Sequence, residues 1–334
     1  MTEKSLVTSS VDFDADGKQS GNLAVPQSTN SAGWAKYFVP IFVVKNGDGP
    51  TAVLSGGNHG DEYEGPVTLM NLFRELNPAD IRGRIIIIPM LNHPAVASGT
   101  RLSPIDGKNM NRAFPGRPTD TITGMIAHFV ATQVLPLADL VVDIHSGGSS
   151  MHMLPSVNMH RVDDADQMER MLAAGRAWGA PYVFLYHDVA GSGLLPSFAE
   201  GLGKVTLGTE MGSKAQFGVD MLRHTGRVRN VLHHAGILQE APTDRGEAKP
   251  IIMAGDHEED YIMSPASGIF EPFFELEDRI ESGQQIGQVH SLEHPDRPTE
   301  PVFAQSSGIL FVRRSVPLCR QGECLAVLTR EVDM

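Results

Sequence analysis

Hydrophobic and polar positions alternate in two different ways along the first two thirds of the chain. Short runs of β-branched and apolar residues at 38–45, 51–55 and 84–90 have the length of buried strands. Between the last two runs, the segment EGPVTLMNLFRELNP carries apolar residues at helical spacing and stops at Pro78. A strand, a helix and a strand in this order predict a parallel pair of strands covered by a helix.

The same alternation continues toward the C-terminus. Helical spacing predicts helices over 121–136, 164–178 and 216–235, and LADLVVDIHS and KVTLGTEMG each contain a buried strand. The pattern predicts an α/β fold, a three-layer sandwich with a mostly parallel mixed sheet. Residues 1–35 are expected to be extended, or a strand, at a subunit edge.

The composition changes after about residue 241. The segment APTDRGEAKP is a polar, proline-containing linker, and short β-rich runs separated by Gly, Pro and Ser follow it. These runs predict a small all-β module, similar to the barrel-sandwich of lipoyl-like domains. No lysine occupies the hairpin where such carriers attach their cofactor, so a carrier function is not inferred. We therefore expect a catalytic domain at 1–245 and a β-rich domain at 246–334.

Charge and cysteine content narrow the classes of partner and compartment. The formal net charge of −13 argues against nucleic acids and anionic membranes, which require clustered Lys and Arg. The polar N-terminus lacks the apolar core of a secretory signal, and no run approaches the roughly 20 apolar residues of a membrane helix. We expect a cytoplasmic protein in which Cys319 and Cys324 are ordinary thiols.

Three residues predict a metal site. His59 and Glu62 form an H-x-x-E pair in the glycine-rich turn LSGGNHGDEYEG, which follows the 51–55 strand. His145 ends the strand in LVVDIHSGG, and the carboxyl ends of parallel strands open into one crevice. Two histidines and one glutamate are a ligand set of catalytic zinc, and Asp143 could orient His145. The other histidines, among them His160, are less favoured as ligands.

Further polar residues at strand exits could act on a substrate. Glu210 ends another strand in KVTLGTEMG, where a carboxylate could exchange protons with water and a leaving amine. The long loop 91–116 carries Asn111 and Arg112, an amide and a planar fork suited to a carboxylate. Arg101, in the same loop, could stabilise an oxyanion. The structural alternatives are a loop acid for Glu210 and surface ion pairs for the arginines.

Four motifs in a fixed order resemble the succinylglutamate desuccinylase/aspartoacylase family, relatives of the zinc carboxypeptidases. They are GGNHGDEYEG, TR…NMNRAFPG, DIHSGG and GTEMG, followed by a β-rich tail, and the resemblance covers most of residues 50–334. It implies a zinc carboxypeptidase-like fold, in which His59, Glu62 and His145 hold one zinc ion per subunit.

The resemblance also implies roles for the remaining residues. Glu210 would be the general base and acid, Arg101 would stabilise the tetrahedral oxyanion, and Asn111 and Arg112 would hold the α-carboxylate of the substrate. The β-rich tail would pack near the active site and exclude longer peptides. The substrate would then be a small acylated amino acid rather than a polypeptide.

One departure from the family pattern bears on the substrate. Members that cleave acetyl-aspartate carry an extra arginine about ten residues ahead of the base, whereas LLPSFAEGLGKVTLGTE has Glu200 there and only Lys204 as a cation. With Asp188 and Glu200 nearby in sequence, a cationic substrate side chain is favoured. The chain is similar to the ectoine-degradation branch, whose members deacetylate N2-acetyl-L-2,4-diaminobutanoate, and Glu200 is predicted to bind the substrate amine.

Three alternatives stay open at this point. The enzyme could instead be a desuccinylase or aspartoacylase acting on an acidic acyl amino acid, or a carboxypeptidase acting on peptides. A non-catalytic metal-binding module of the same fold would have no need of Glu210. A homo-oligomer is compatible with the sequence, which does not fix the number of subunits.

Overall fold

The computed structural model describes residues 4–187, 193–213, 217–241 and 249–334. Its strands are β1 (Thr8–Ser9), β2 (Gly17–Thr29), β3 (Ala32–Asn46), β4 (Thr51–Gly56), β5 (Gly83–Ile88), β6 (Leu140–His145), β7 (Met151–Met153), β8 (Ser156–Met159), β9 (Tyr182–Tyr186), β10 (Val205–Glu210), β11 (Ile251–Gly255), β12 (Tyr261–Met263), β13 (Gly268–Pro272), β14 (Arg279–Ile280), β15 (Gln285–His290), β16 (Glu300–Phe303), β17 (Gly308–Arg314), β18 (Leu318–Cys319) and β19 (Cys324–Glu331). Its α-helices are α1 (Glu64–Glu75), α2 (His93–Ser98), α3 (Ile122–Phe129), α4 (Ala165–Trp178), α5 (Leu195–Gly201), α6 (Val219–Gly226) and α7 (Val228–His234).

One large sheet runs through the molecule. In the described residues it has fifteen strands in the order β1-β2-β3-β5-β4-β6-β10-β8-β9-β11-β19-β17-β14, with β12 beside β19 and β7 beside β17. Strands β5, β4, β6 and β10 are parallel to one another. Strands β8, β9 and β11 form a second parallel set, and β8 runs antiparallel to β10. The sheet is therefore mixed and parallel at its centre.

The two faces of the sheet bury two separate hydrophobic cores. Ile85 and Ile87 of β5 face a core that contains side chains of α1, α4 and α7. Ile86 and Ile88 of the same strand face a second core, which includes side chains of α3 and α5. Since successive side chains of a strand point to opposite faces, a run of apolar residues without alternation is what a sheet covered on both sides requires. The predicted three-layer α/β sandwich is confirmed.

Local differences from the predicted elements have identifiable causes. The helix predicted over 121–136 is α3 followed by a π-helical turn, Val130–Val134, and a 3-10 turn, Leu135–Leu137. The prediction of a single helix over 216–235 is wrong, because α6 ends at Gly226 and α7 begins at Val228. Glycine is a weak helix former, and the Arg227 side chain donates a hydrogen bond to the Gly179 carbonyl, which fixes the break.

The C-terminal strands both extend the large sheet and form a second one. β19 pairs antiparallel with β11, and β17 continues the sheet beyond it. A separate four-stranded antiparallel sheet has the order β16-β15-β13-β18, and a third apolar core that includes Phe270, Ile286 and Leu328 holds this module together. The predicted small all-β module is confirmed, whereas the domain boundary at 245/246 stays a prediction. Among the described residues, no helix combines the length and apolarity that crossing a bilayer requires.

Candidate metal centre and active site

Polar side chains lie at or just after the carboxyl ends of three adjacent parallel strands, at one edge of the sheet. β4 and β10 flank β6, and Glu210 of β10 is directly opposite His145 of β6. His59 follows the end of β4 at Gly56 by three residues. The strand register alone therefore gathers these side chains, since the carboxyl ends of parallel strands meet at one edge.

The turn between β4 and α1 is tight enough to bring His59 and Glu62 together. The Glu62 amide donates a 3.4 Å hydrogen bond to the His59 carbonyl, which closes the turn. Gly60 packs directly against α2, where an added Cβ would lie 2.0 Å from the Ala95 carbonyl carbon. A glycine is therefore required for the turn to approach α2 this closely.

His59, Glu62 and His145 form one buried cluster. Nδ1 of His59 lies 2.7 Å from Oε1 of Glu62, and Nδ1 of His145 lies 2.8 Å from Oε2 of the same carboxylate. One potential ligand atom from each residue falls within 4.8 Å of the others, and all three residues are buried. The three residues that the sequence predicts as ligands are brought together and could hold a metal ion.

Neighbouring side chains fix which ring nitrogens face the Glu62 carboxylate. Nε2 of His145 lies 2.8 Å from Oδ2 of Asp143, and Nε2 of His59 lies 3.2 Å from Oδ1 of Asn109. Both outer nitrogens meet oxygen acceptors and are assigned as donors, so the Nδ1 atoms beside Glu62 are the ones that could bind a metal ion in exchange for a proton. Two such nitrogens and one carboxylate facing each other form a site that fits a divalent cation.

The electrostatics of the metal-free cluster favour a positive charge between the carboxylates of Glu62 and Asp143. Burial acts to lower the pKa of His145, but the carboxylates of Asp143 and Glu62 outweigh it and raise that pKa well above its usual value of 6.5. Burial lowers the pKa of His59, although Glu62 opposes the shift. Burial acts to raise the pKa of Glu62, whereas the two imidazoles lower it strongly. A carboxylate this acidic is ionised at neutral pH and available as a ligand.

Asp143 is a buried acceptor with its full set of partners. It accepts hydrogen bonds from Ser55 Oγ at 2.6 Å and Asn58 Nδ2 at 2.8 Å, in addition to the contact with His145. Burial acts to raise the pKa of Asp143, while His145 and these hydrogen bonds lower it. The carboxylate is thus fixed in place and charged, as a group that orients a metal-binding imidazole must be.

Glu210 lies beside the cluster with an unusual carboxyl group. Its Oε2 is buried and has no hydrogen-bond partner among the described residues. Burial and the charge of Glu62 together raise the pKa of Glu210 to about 8. A carboxyl group with a pKa near neutrality can both accept and return a proton.

The arginines and the amide of loop 91–116 also reach this region. Arg101 Nη1 lies 3.3 Å from His59 Nδ1 and 3.5 Å from Glu62 Oε1, at the edge of the cluster. The Asn111 side-chain oxygen accepts a 3.0 Å hydrogen bond from the Leu195 amide, and Arg112 Nη1 donates to the Asn111 carbonyl at 2.6 Å. The loop that carries both cations is thus tied to α5.

A cavity of about 250 Å³ joins these groups. The predicted site residues in its wall are His59, Arg101, Asn111, Arg112, His145 and Glu210. The rest of the wall includes the aromatic rings of Phe184, Tyr186 and Tyr261. The wall therefore combines the candidate metal ligands with a set of aromatic rings from β9 and β12, here called the aromatic end.

Glu200 lies outside the described wall of this cavity. It is a buried residue of α5, and its Oε2 lies 2.7 Å from Nδ1 of His160. The His160 ring in turn packs on Tyr186, with 4.1 Å between ring centroids. Glu200 thus reaches the cavity only through two other side chains, unlike the direct contact that the sequence predicts. Asp188 lies outside the described residues.

Three contributors to the site are not among the residues singled out from the sequence. Asn109, fifty positions after His59 in the sequence, accepts from the ring of His59 through its side-chain oxygen. Asp61 accepts a 2.8 Å hydrogen bond from the Ser149 amide, which fixes the loop after His145. Tyr186 lines the aromatic end of the cavity. The only local signal for Asp61 and Asn109 is their position inside the glycine-rich turn and the long loop that carry the other site residues.

A family model and one curated relative cover this region. Residues 48–235 match the model of the succinylglutamate desuccinylase/aspartoacylase catalytic domain. Over 330 residues the chain is 36% identical to the N-alpha-acetyl-L-2,4-diaminobutyric acid deacetylase of Halomonas elongata, and the alignment covers 98% of this chain and 96% of that protein.

Two solved structures are similar over nearly the whole chain. The succinylglutamate desuccinylase/aspartoacylase from Rhodobacter sphaeroides is 36% identical, with a TM-score of 0.92, and covers 99% of this chain and 100% of its own. The product-bound ectoine utilization protein EutE (DoeB) from Ruegeria pomeroyi is 35% identical, with a TM-score of 0.92, and covers 98% of this chain and 99% of its own. At these coverages both likenesses extend over the C-terminal strands as well as the region that the family model matches.

Proposed function

The chain belongs to the succinylglutamate desuccinylase/aspartoacylase family, and on that premise we propose that it hydrolyses N2-acetyl-L-2,4-diaminobutanoate in a zinc-dependent reaction. The products are acetate and L-2,4-diaminobutanoate. The observation that carries the proposal is the buried His59–Glu62–His145 cluster beside Glu210, in a chain 36% identical to a deacetylase of that substrate over 330 residues. The cytoplasm as its location stays a prediction.

His59, Glu62 and His145 would hold the zinc ion. Two imidazoles and a carboxylate are a donor set of catalytic zinc, which leaves a position open for water or substrate. When bound, zinc supplies a Lewis acid that polarises a carbonyl group and acidifies water. Asp143 and Asn109 accept from the outer nitrogens of the two rings and would keep their Nδ1 atoms directed at a bound ion.

Glu210 is proposed as the group that moves the proton. As a carboxylate it takes one proton from the attacking water, whose oxygen forms a bond to the acetyl carbon. It then returns that proton to the nitrogen as the carbon–nitrogen bond breaks, which gives acetic acid and the amine. The second proton of the water passes from the acid to the amine, so that acetate and an ammonium group leave. A pKa of about 8, raised by burial and Glu62, suits a group that must accept and donate in one turnover.

Arg101 and Arg112 are proposed to stabilise negative charge at two places. The Arg101 guanidinium lies at the edge of the metal cluster, where it could donate to the oxyanion that develops on the acetyl oxygen. Arg112 and the side-chain NH₂ of Asn111 could donate to the α-carboxylate of the substrate. The oxygen of Asn111 already accepts from Leu195, so its NH₂ group is the part that can serve the substrate.

The aromatic end of the cavity supports a cationic side chain on the substrate. Phe184 and Tyr186 line it with ring centroids 6.0 Å apart, and Tyr261 contributes a third ring. An ammonium group is attracted to the face of an aromatic ring, most strongly when water is excluded. This arrangement replaces direct contact with Glu200 as the proposed means of binding the γ-ammonium.

A panel of acylated amino acids tests the proposal. Zinc-loaded protein is given N2-acetyl-diaminobutanoate, acetyl-ornithine, acetyl-aspartate and succinyl-glutamate, and the release of acetate or succinate is measured. The proposal expects the highest kcat/KM for N2-acetyl-diaminobutanoate. Preference for an acidic substrate would overturn the proposed specificity, and no release from any substrate would overturn the hydrolase.

A substitution at Tyr186 tests the binding of the ammonium group. Replacing Tyr186 by Leu should lower kcat/KM for N2-acetyl-diaminobutanoate by about 2- to 30-fold, which corresponds to a lost cation–π contact. N-acetyl-2-aminobutanoate has the same carbon chain without the ammonium and should be affected much less. Tyr186→Phe keeps the ring and is the matched control. An equal loss with both substrates would count against the ammonium contact.

A further inference from the structure

One position in the cavity wall carries no side chain. Gly208 lies inside β10, two residues before Glu210, and both residues line the cavity. Side chains two positions apart in a strand point to the same face of the sheet, so a side chain at 208 would point the same way as that of Glu210. The side chain of Leu207 points to the other face, into the core that contains α1, α4 and α7. Gly208 therefore leaves space in the cavity rather than in a hydrophobic core.

Neither the backbone nor the packing of β10 requires a glycine at 208. The φ angle of Gly208 lies outside the left-handed region. Among the described residues, the atoms nearest to an added Cβ would be the carbonyl oxygen of Asn158 at 3.5 Å and its Cβ at 3.6 Å, which are ordinary contacts. Glycine weakens the interior of a strand, and there it often marks the close approach of a ligand or of another backbone. With no backbone approaching too closely for a Cβ, a ligand is the remaining reason.

Gly208 begins a row of residues that leads to the aromatic end of the cavity. It lies opposite Asn158 of β8, which in turn lies opposite Phe184 of β9, and all three line the cavity. Neighbouring strands are about 4.8 Å apart, so the row spans about 10 Å from Gly208 to Phe184. Its first member is two residues from Glu210, the proposed proton carrier, and its last is one of the rings proposed to bind the ammonium group. A substrate that reaches from Glu210 to these rings runs along this row.

The surface that Gly208 offers to a substrate is apolar. β10 has β6 on one side and β8 on the other, with Gly208 opposite Asp143 and Asn158. The N–H and C=O groups of a strand lie in the plane of the sheet, where they bond to neighbouring strands. Gly208 therefore presents only its Cα to the cavity. Such a surface suits the methylene groups of a ligand and not a charged or hydrogen-bonding group.

We propose that Gly208 determines which substrate side chains fit, because the methylene arm between the α-carbon and the terminal ammonium lies on its bare Cα. This inference rests on the proposed hydrolysis of an acylated amino acid. In that proposal the acetyl group lies at the metal, the α-carboxylate at Arg112 and the ammonium at the aromatic rings. The methylene groups are the part left without a contact, and Gly208 supplies an apolar surface on the path between the other anchors. A side chain at 208 would fill the space that the arm occupies.

A single methyl group added at position 208 tests this role. Zinc-loaded wild type and Gly208→Ala are given N2-acetyl-diaminobutanoate, N-acetylalanine and N-acetylglycine, whose side chains become shorter in that order. One methylene group in a substrate pocket changes kcat/KM by about 10- to 200-fold, and a loss of this size is expected for N2-acetyl-diaminobutanoate. The loss should be smaller for N-acetylalanine and absent for N-acetylglycine. The dissociation constant of the product L-2,4-diaminobutanoate, measured by calorimetry, should also rise in Gly208→Ala.

Two controls separate a lost substrate contact from damage to the fold. Gly208→Ala should keep one zinc ion per subunit and should unfold at the same or a higher denaturant concentration, because alanine is less costly than glycine inside a strand. The matched variant is Gly33→Ala. Gly33 lies in β3, away from the cavity wall, with a φ angle outside the left-handed region and no described atom within 4 Å of an added Cβ. Its kcat/KM values should equal those of wild type.

The outcomes distinguish the role of Gly208 from the proposed function. No release from any of the three compounds by wild type would overturn the hydrolase, and this role with it. Release by wild type combined with an equal loss for all three compounds in Gly208→Ala, or with no loss for N2-acetyl-diaminobutanoate, would overturn the role of Gly208 alone. Loss of zinc or easier unfolding in Gly208→Ala would mean that the fold itself requires the glycine, and would also overturn it.

Discussion

At the scale of single residues, Glu62 determines the geometry of the three candidate metal ligands. Its two carboxylate oxygens face the Nδ1 atoms of His59 and His145 at 2.7 and 2.8 Å. Each ring is held from behind by a separate oxygen, on Asn109 and on Asp143. The three donors are therefore positioned by the protein itself, and a metal ion would meet a preorganised site rather than create one.

Glu210→Gln separates binding of the metal from catalysis. Glutamine keeps the size of the side chain but cannot accept a proton from water, so turnover should fall by at least about 100-fold. Zinc content should stay near one ion per subunit, because Glu210 is not in the proposed ligand set. Acetate release and metal analysis on the same preparation check this. Substantial turnover would remove Glu210 from the mechanism, and loss of zinc would make it a ligand.

The raised pKa of Glu210 predicts a dependence of stability on pH in the metal-free protein. Its pKa is about 8 in the folded state, through burial and Glu62, against an ordinary value of 4.5. The folded state therefore holds the proton more tightly, and its advantage, complete below about pH 4.5, is lost as the pH rises to about 8.

Denaturant unfolding of chelator-treated protein measures this effect. The free energy of unfolding of wild type should fall, relative to Glu210→Gln, between pH 5 and pH 8, because glutamine cannot ionise. The Glu210→Gln variant is the reference, because every other titrating group is present in both proteins. Parallel curves for the two proteins would show that Glu210 does not have a raised pKa.

The sequence predicts the three metal-binding candidates because each lies near a strand end. His145 ends a buried apolar run, and His59 and Glu62 lie in the turn that follows another, so parallel pairing of the two strands brings that turn beside His145. Glu200 differs because it belongs to a helix, whose side-chain directions depend on how it packs. Its pairing with His160 requires the positions of α5 and β8, and nothing local in the sequence supplies them.

At the scale of elements, the turn between β4 and α1 sets the geometry of the site. Gly60 allows this turn to lie directly on α2, which leads into the loop that carries Arg101. Gly60→Ala would place a Cβ within 2.0 Å of the α2 backbone. We expect a loss of about 3 kcal/mol or more in the free energy of unfolding, together with weaker zinc binding.

Gly201→Ala is the matched control for Gly60→Ala. Gly201 ends α5, and an added Cβ there would have no atom within 4 Å. This substitution should be neutral or slightly stabilising, because alanine favours helix and restricts the unfolded chain. Denaturant unfolding and zinc titration of both variants check the pair. Equal effects would mean that the close approach of the turn to α2 is not what makes glycine necessary.

Element types are predicted well where an apolar run is long and bounded by Gly or Pro. β4, β5, β6 and α1 all lie within one to three residues of the predicted segments. The prediction fails over 216–235, because the local spacing remains helical through Gly226 while the chain turns there. What fixes that turn is the contact of Arg227 with Gly179, which lies 48 positions away.

At the scale of the whole molecule, the C-terminal strands complete the cavity. Tyr261 of β12, Val312 of β17 and Val327 of β19 line it, although the metal candidates lie more than a hundred positions earlier. β17 also pairs with β7, which follows the metal loop. The residue pattern predicts a β-rich tail and the family resemblance implies that it packs near the active site, but only these long-range pairings show which strands line the cavity. Such pairings have no local signal in a single sequence.

This wall predicts selection for free amino acids over peptides. The C-terminal strands form one wall of the cavity, and Arg112, the proposed partner of the α-carboxylate, lines the same cavity, so a chain that continues past that carboxylate is expected to meet these strands. N2-acetyl-diaminobutanamide removes the carboxylate charge without adding bulk, and its kcat/KM should fall by about 10- to 100-fold through loss of a charged hydrogen bond. N2-acetyl-diaminobutanoyl-glycine restores a carboxylate but extends the chain, and should be cleaved at least tenfold more slowly still, because the C-terminal strands block it. The rates of acetate release from N2-acetyl-diaminobutanoate, its amide and its glycine extension give the order of their kcat/KM values. Cleavage of the glycine extension as fast as the free amino acid would mean that the C-terminal strands do not exclude peptides, and it would favour carboxypeptidase-like access to the metal.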